Sequence, residues 1–218
     1  MPKRFDLIVF DWDGTLADST RMIVDCLREA SADAGLRVPE PTAASNIIGL
    51  GLNEAVLALF GELNVVQYEQ LTSRYRHHYH LRDNETPLFD GVSETLAELE
   101  SLGFMLAVAT GKGRNGLNRS LQRSGLAQHF HATRCVDECH SKPHPQMLLE
   151  LMDELGTLPE RTLMIGDTSF DLQMAQNANV ASVAVSYGAQ PLTSLLPLAP
   201  LAHFSEFFSL SQWLLSHA

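Results

Sequence analysis

Short blocks of unbroken apolar character punctuate the chain, and each gives way abruptly to small or polar residues. Leu7-Ile8-Val9-Phe10 ends in Asp11-Trp12-Asp13-Gly14-Thr15-Leu16, and Phe104 to Ala109 ends in Thr110-Gly111-Lys112-Gly113. Thr162 to Ile165 runs into Gly166-Asp167, and Ala181 to Val185 runs into Ser186-Tyr187-Gly188. His131 to Val136 is a weaker block of the same kind. Blocks that are apolar at every position predict strands buried on both faces, which is the pattern of a parallel sheet. Between them the apolar residues fall at helical spacing: Leu117 and Leu121 before Ser124-Gly125, then Met147, Leu148, Leu151, Met152 and Leu155 before Gly156. A further helix is expected from Ser169 or Phe170. The alternation predicts an α/β fold, a Rossmann-like parallel sheet with helices on both faces.

The stretch after Leu16 breaks this rhythm. It reads as helices over 19–34, 53–60 and 66–82, with a loop at Pro39 and Pro41 and another at Gly49-Leu50-Gly51, and no convincing strand. The simplest organisation is a small all-helical cap, residues 17–83, inserted after the first strand of a core domain formed by 1–16 and 84–218. The segment from Pro191 to Pro200 reads as a loop with a short helical turn that leads to a last edge strand.

Composition bounds what such a fold can do. The chain has 218 residues, 45% of them hydrophobic, enough for one good core and a small second module. Its 15 Lys and Arg face 26 Asp and Glu, for a net charge of −11. That balance argues against nucleic acid or an anionic membrane as partner, since both reward clustered cations. A small anionic substrate stays compatible if a metal and a few local cations reverse the field in one pocket. No stretch approaches the length of a membrane span, and the apolar run behind Lys3-Arg4 is too short for a signal peptide. Three cysteines, an odd number in a chain that needs no staples, suggest a reduced, cytoplasmic protein.

In an open parallel sheet, ligands bind beyond the carboxyl ends of the strands. The unusual residues of this chain follow that rule. Asp11 and Asp13 follow the first strand, Thr110, Gly111 and Lys112 the second, Lys142 the third, and Asp167 and Asp171 the fourth. Two carboxylates one residue apart at the mouth of a buried strand repel each other unless a cation or shared proton offsets them. Each feature alone has a bland reading: a solvated Asp-Gly turn, a strand end, a surface lysine, an N-cap. Four such features on loops at one side of one sheet point jointly to chemistry.

This set resembles the haloacid dehalogenase superfamily, in its phosphoglycolate-phosphatase-like branch with a small helical cap. The motifs that carry the resemblance are Asp11-Trp12-Asp13-Gly14-Thr15-Leu16, Thr110 with Gly111, Lys142 in Ser141-Lys142-Pro143, and Gly166-Asp167-Thr168-Ser169-Phe170-Asp171. The resemblance implies hydrolysis of a small phosphorylated metabolite through an aspartyl-phosphate. Asp11 is then the nucleophile and Asp13 the proton shuttle. Mg²⁺ would be held by Asp11, the Asp13 carbonyl and Asp167, with Asp171 orienting a metal-bound water or Lys142. Thr110 and the Gly111 amide would bind phosphoryl oxygens, and Lys142 would offset the gathered charge. Asp13 also favours phosphate esters over carbon–halogen bonds, because halide leaves without a proton and an alkoxide does not.

The cap would select the leaving group. In proteins of this kind the loop between the first cap helices reaches the substrate. Here it contains Gly49, Leu50, Gly51 and Asn53, and no Lys or Arg. Arg74, Arg76, His77, His78 and His80 on a later cap helix could supply a cation, but the simpler expectation is a solvated face near the hinge. Cys135, Cys139, His140 and His144 lack the second paired half of a zinc site. Two rivals remain at this stage: a phosphosugar mutase with the same nucleophile and acid, and a non-enzymatic receiver-like regulatory domain. The latter needs neither a cap nor the Gly166–Asp171 motif. The chain is expected to be a monomer or weak dimer.

Overall fold

The computed structural model describes residues 3–83 and 86–217. Six parallel strands form one sheet in the order β3-β2-β1-β4-β5-β6. They are β1 (Leu7–Phe10), β2 (Met105–Thr110), β3 (Ala132–Cys135), β4 (Thr162–Gly166), β5 (Ala181–Val185) and β6 (Ala202–Phe204). The continuous apolar character of β1 has the expected consequence: every side chain is buried, alternately on the two faces of the sheet. Ile8 and Phe10 join Leu163, Ile165 and Val108 on one face. There they meet α5 (Val92–Ser101), α6 (Arg114–Ser124) and α10 (Phe207–His217), through Leu96, Leu117 and Leu210. Leu7 and Val9 join Met164 and Ala107 on the other. That face is covered by α7 (Gln146–Leu155) and α8 (Ser169–Asn177), through Leu148, Leu151 and Met174.

The strand order reverses beside β1, which pairs with β2 on one side and β4 on the other. In register, Phe10 stands opposite both Val108 and Ile165, and the Asp11 amide donates to the Ile165 carbonyl at 2.9 Å. The ends of β1, β2 and β4 are therefore level, and the residues that follow them converge.

Between β1 and α5 lie α1 (Thr20–Asp33), α2 (Pro41–Ser45), α3 (Leu52–Phe60) and α4 (Val65–Arg82). They bury small clusters of their own, Ile23, Val24 and Leu27 with Ala44 and Ile48, and Ala30 with Val56 and Leu71. Two chain crossings join them to the sheet layer side by side: Asp18 N–H donates to the Pro87 carbonyl at 3.0 Å, and Phe89 N–H to the Leu16 carbonyl at 3.0 Å. The return point expected at residue 84 lies outside the described residues.

Two details differ from the sequence reading. The stretch read as a loop at Pro39 and Pro41 contains α2, which Pro41 opens at its first position, where a missing N–H costs nothing. Helices α5 and α10 were not among the expected elements. The Pro191 to Pro200 segment, as expected, contains a short helix, α9 (Leu192–Leu195), before the edge strand β6.

Candidate active site

Four charged side chains meet at the ends of β1 and β4, each 0–1% exposed: Asp11, Lys142, Asp167 and Asp171. Lys142 Nζ donates to Asp171 Oδ1 at 2.6 Å and lies 2.7 Å from Asp11 Oδ1. The Asp11 contact is close but off hydrogen-bond geometry, so both Asp11 oxygens are buried without a hydrogen bond. Asp171 is fully engaged: its Oδ2 accepts from the Thr168 hydroxyl at 2.7 Å and the Thr168 amide at 3.1 Å, in a capping box that opens α8. Asp171 therefore fixes Lys142.

Asp167 is held from two sides. The Thr15 hydroxyl donates to Oδ1 at 3.0 Å and the Ala189 amide to Oδ2 at 2.7 Å. Any side chain at Gly14 or Gly188 would overlap its carboxylate, and Gly14 also has φ +85°, so both positions need glycine.

Burial raises the pKa of Asp11; Lys142 opposes that shift, and Asp171 and Asp13 add to it. Asp167 is pushed well above the usual carboxylate range by burial, then by Asp11 and Asp171. Burial alone would lower Lys142, but Asp11 and Asp171 more than offset it and hold the ammonium charged. Oxygens of Asp11, Asp167 and Asp171 lie within 4.8 Å of one another. Three buried carboxylates facing one ammonium leave a negative excess, with two Asp11 oxygens lacking donors. This donor set suits a hard divalent cation such as Mg²⁺.

Asp13 turns the other way. Its carboxylate accepts from the Ser19 hydroxyl at 2.8 Å and from Lys112 Nζ at 3.0 and 3.1 Å. Lys112 also contacts the Tyr79 hydroxyl of α4 and lies 4.7 Å from the centre of that ring. The Lys112 amide donates to the Thr110 hydroxyl at 3.1 Å. Lys112 is the site residue to which the sequence reading assigned no role. Its place in Thr110-Gly111-Lys112 was a signal, but its partner Tyr79 lies in a helix far away along the chain.

The loop between α2 and α3 lies against the sheet layer. A side chain at Gly111 would stand 2.5 Å from the Gly49 carbonyl and 2.7 Å from that of Leu50. The Gly51 amide donates to the Ser141 hydroxyl at 2.9 Å, and the Ser45 hydroxyl donates to the Ala189 carbonyl at 2.7 Å. Asn53 accepts from the Tyr68 hydroxyl. Glycine is thus needed at 111 for close backbone approach, which adds to the amide's suggested phosphate contact. Together these elements line a partly open cavity of about 820 Å³ that reaches from Asp11, Asp13 and Thr110 to Gly49, Leu50, Gly51, Asn53 and the α4 helix.

The run from Arg74 to Arg82 divides. Arg74 Nε donates to Asp33 Oδ2 at 3.0 Å, His78 Nε2 lies 2.8 Å from the same oxygen, and Arg82 Nη2 donates to both Glu29 carboxylate oxygens, at 2.8 and 2.9 Å. Those three are ion-pair partners of α1. Arg76 and His80 are exposed, as a solvated face would have them, and border the cavity. Cys135 and Cys139 are separate buried thiols; Cys139 Sγ lies 3.6 Å from Glu150. Among the described residues no Cys/His cluster converges on a metal geometry.

Level strand ends on a six-stranded parallel sheet, with three buried acids around a lysine and a helical module packed beside them, define a Rossmann-like α/β protein. More specifically, residues 8–185 match the family model of the haloacid dehalogenase-like hydrolases, and the chain belongs to that family. It is 36% identical over 185 residues to the tyrosine-protein kinase PtkA of Mycobacterium tuberculosis (strain ATCC 25618 / H37Rv), covering 84% of this chain but only 62% of PtkA's length. It is 30% identical over 208 residues to the phosphoglycolate phosphatase of Mesorhizobium japonicum, with 91% of each chain covered. A crystal structure described as "a predicted phosphoglycolate phosphatase" from Haemophilus somnus superposes with a TM-score of 0.87 at 25% identity, over 97% of this chain and 99% of that one. Relatives named phosphatases match it over about nine-tenths of its length. No helix among the described residues is long and apolar enough to cross a membrane.

Proposed function

We propose that the protein is a Mg²⁺-dependent phosphatase that hydrolyses a small phosphomonoester through an aspartyl-phosphate on Asp11. The observation that carries this reading is the contrast between the two first-loop carboxylates. Asp11 is buried against Lys142 with both oxygens free of hydrogen bonds, whereas Asp13 faces the cavity side, held by Ser19 and Lys112.

Asp11 attacks phosphorus while the bond to the leaving oxygen breaks, and Asp13 gives that oxygen its proton. A water then attacks the phosphorus of the acyl phosphate, Asp13 takes its proton, and the phosphorus–oxygen bond to Asp11 breaks. Free phosphate leaves and both side chains are restored. Splitting one displacement into two is the benefit of the covalent route, and the proton transfers are worth about 10²–10⁴-fold. Lys142, fixed by Asp171, balances charge between nucleophile and phosphoryl group. Thr110 and the Gly111 amide bind phosphoryl oxygens. Asp11, Asp167 and the Asp13 carbonyl would hold Mg²⁺, which when bound screens the charge of the phosphoryl oxygens. Asp171 is the positioning residue for Lys142, because both its oxygens are already occupied. The helical module of 17–83 acts as the cap over a core of 1–16 and 84–218. The contacts of the helical module at Gly111 and Ser141 favour this reading over a receiver-like domain, which has no use for a module packed beside the strand ends.

Release of phosphate from p-nitrophenyl phosphate with and without Mg²⁺ tests the reading. Mg²⁺-dependent turnover is expected, with a loss of about 10⁴-fold in Asp11→Asn. Sustained turnover by purified Asp11→Asn would exclude the mechanism.

A further inference from the structure

Lys112 reaches Asp13 from the side, and its ammonium is held where packing is thin. The stem of Lys112 runs over Gly116 of α6, where an added Cβ would stand 3.2 Å from the Lys112 Cγ. Beyond the stem, Asp13, Tyr79 and Lys112 border both the cavity of about 820 Å³ and a second one of about 400 Å³, which reaches Trp12, Leu88 and Asp83. These three side chains form a partition between two spaces. Directional contacts, rather than close packing, therefore aim the ammonium.

The ammonium donates to both Asp13 oxygens and contacts the Tyr79 hydroxyl of α4. A hydroxyl that accepts from an ammonium still has its own proton to place. Burial, then Asp13, then Asp83 push the Tyr79 hydroxyl above its ordinary pKa, so that proton stays on. Asp83, one helical turn on at the C-cap of α4, is a carboxylate beside it. Asp83 is 2% exposed, and its Oδ2 makes no hydrogen bond. Arg119 and Arg123, one turn apart on α6, form ion pairs with it at 3.5 and 3.7 Å. The contacts thus run in one line, from α6 of the sheet layer through Asp83 and Tyr79 to Lys112 and Asp13.

We propose that Tyr79 and Asp83 are positioning residues for the proton shuttle: anchored on α6, they hold the Lys112 ammonium on Asp13. The inference rests on the phosphatase reading above, in which Asp13 protonates the leaving oxygen. Without the Tyr79 hydroxyl the ammonium loses its outer acceptor and is free to swing into either cavity. Glu54 and Asp137 line the larger one as rival partners. Asp13 is then poorly aimed, and the loss falls on substrates whose leaving oxygen needs a proton.

Three substrates of similar size test this: p-nitrophenyl, phenyl and benzyl phosphate, with Mg²⁺. Their leaving oxygens grow more basic in that order, and a basic alkoxide depends most on a proton. The readout is kcat/KM, which covers the steps up to loss of the alcohol. In Tyr79→Phe, which keeps the ring, the expected loss is about twofold for p-nitrophenyl phosphate. For benzyl phosphate it is about ten- to hundredfold, the size of a hydrogen bond to a charged group. Asp83→Asn, which keeps the shape, gives a smaller loss in the same order. In a Lys112→Met background, Tyr79→Phe causes no further selective loss, because it acts through Lys112. An equal loss on all three substrates, no loss, or a selective loss undiminished without Lys112 overturns the proposal.

A second readout needs no turnover. The Lys112 side chain is 7% exposed, so its acetylation by an activated ester, read from peptide masses, is expected to be slow. It becomes severalfold faster in Tyr79→Phe, while Lys142, fully buried, stays unlabelled in both proteins. Failure of the unmodified protein to turn over any of the three substrates would strike the phosphatase reading. Labelling alone would then decide whether Tyr79 holds Lys112, and equal rates would overturn it.

Discussion

Two clusters of acid and base in this molecule use the same residue types to opposite effect. At the strand ends, Asp11, Lys142 and Asp171 are sealed from water, with the lysine 2.6–2.7 Å from both carboxylates. On the cap, Asp33 and Glu29 of α1 hold Arg74, His78 and Arg82 of α4 at similar distances, but with Asp33 about a third exposed and Arg74 half exposed. Water screens the second cluster, so its pairs hold two helices together at little gain or cost. Water is excluded from the first, so each member depends on the others to offset its charge. Burial is what separates the two clusters.

The contrast can be broken at its strongest point first. Lys142→Met leaves two buried carboxylates without their cation, which is expected to cost about 3–5 kcal/mol by urea denaturation and to abolish phosphate release. A loss of activity with full stability would mean that the cluster relaxes into water more readily than its burial implies. Lys112 lies between the extremes, its side chain 7% exposed and bridging Asp13 to Tyr79. Lys112→Met is expected to lower kcat by about ten- to hundredfold, part of the proton-transfer contribution of Asp13, with a small change in melting temperature. An unchanged kcat would detach Lys112 from catalysis. Asp33→Asn should be mildest: a slight fall in melting temperature and no change in kcat/KM. A catalytic loss there would show that the α1–α4 pairs set the shape of the cavity.

The same gradient explains what could be read in the sequence. Asp11, Asp13, Thr110, Lys142, Asp167 and Asp171 each follow an apolar run, and parallel strands of equal register bring such positions together whatever the intervening chain does. The two-sided burial of β1 is written in its four apolar residues. Cap chemistry was harder to read. Whether an arginine on α4 meets Asp33 or the cavity depends on how the helix is rotated against α1, and the stripe that sets that rotation, Tyr68, Leu71, Tyr75 and Tyr79, is mostly tyrosine and stands out little among the basic residues. Lys112 was visible, but its bond to Tyr79 exists only with the cap packed on the sheet. Helix α2 was hidden behind prolines that mark a loop and a helix start equally well.

The central claim is that Asp11 carries the phosphoryl group. Protein quenched in acid during steady turnover of p-nitrophenyl phosphate with Mg²⁺ can be digested and its peptides weighed. The account predicts a mass increment of one phosphoryl group on the peptide that contains Asp11, absent from Asp11→Asn. Turnover with no such increment, or with the group on another residue, would contradict it.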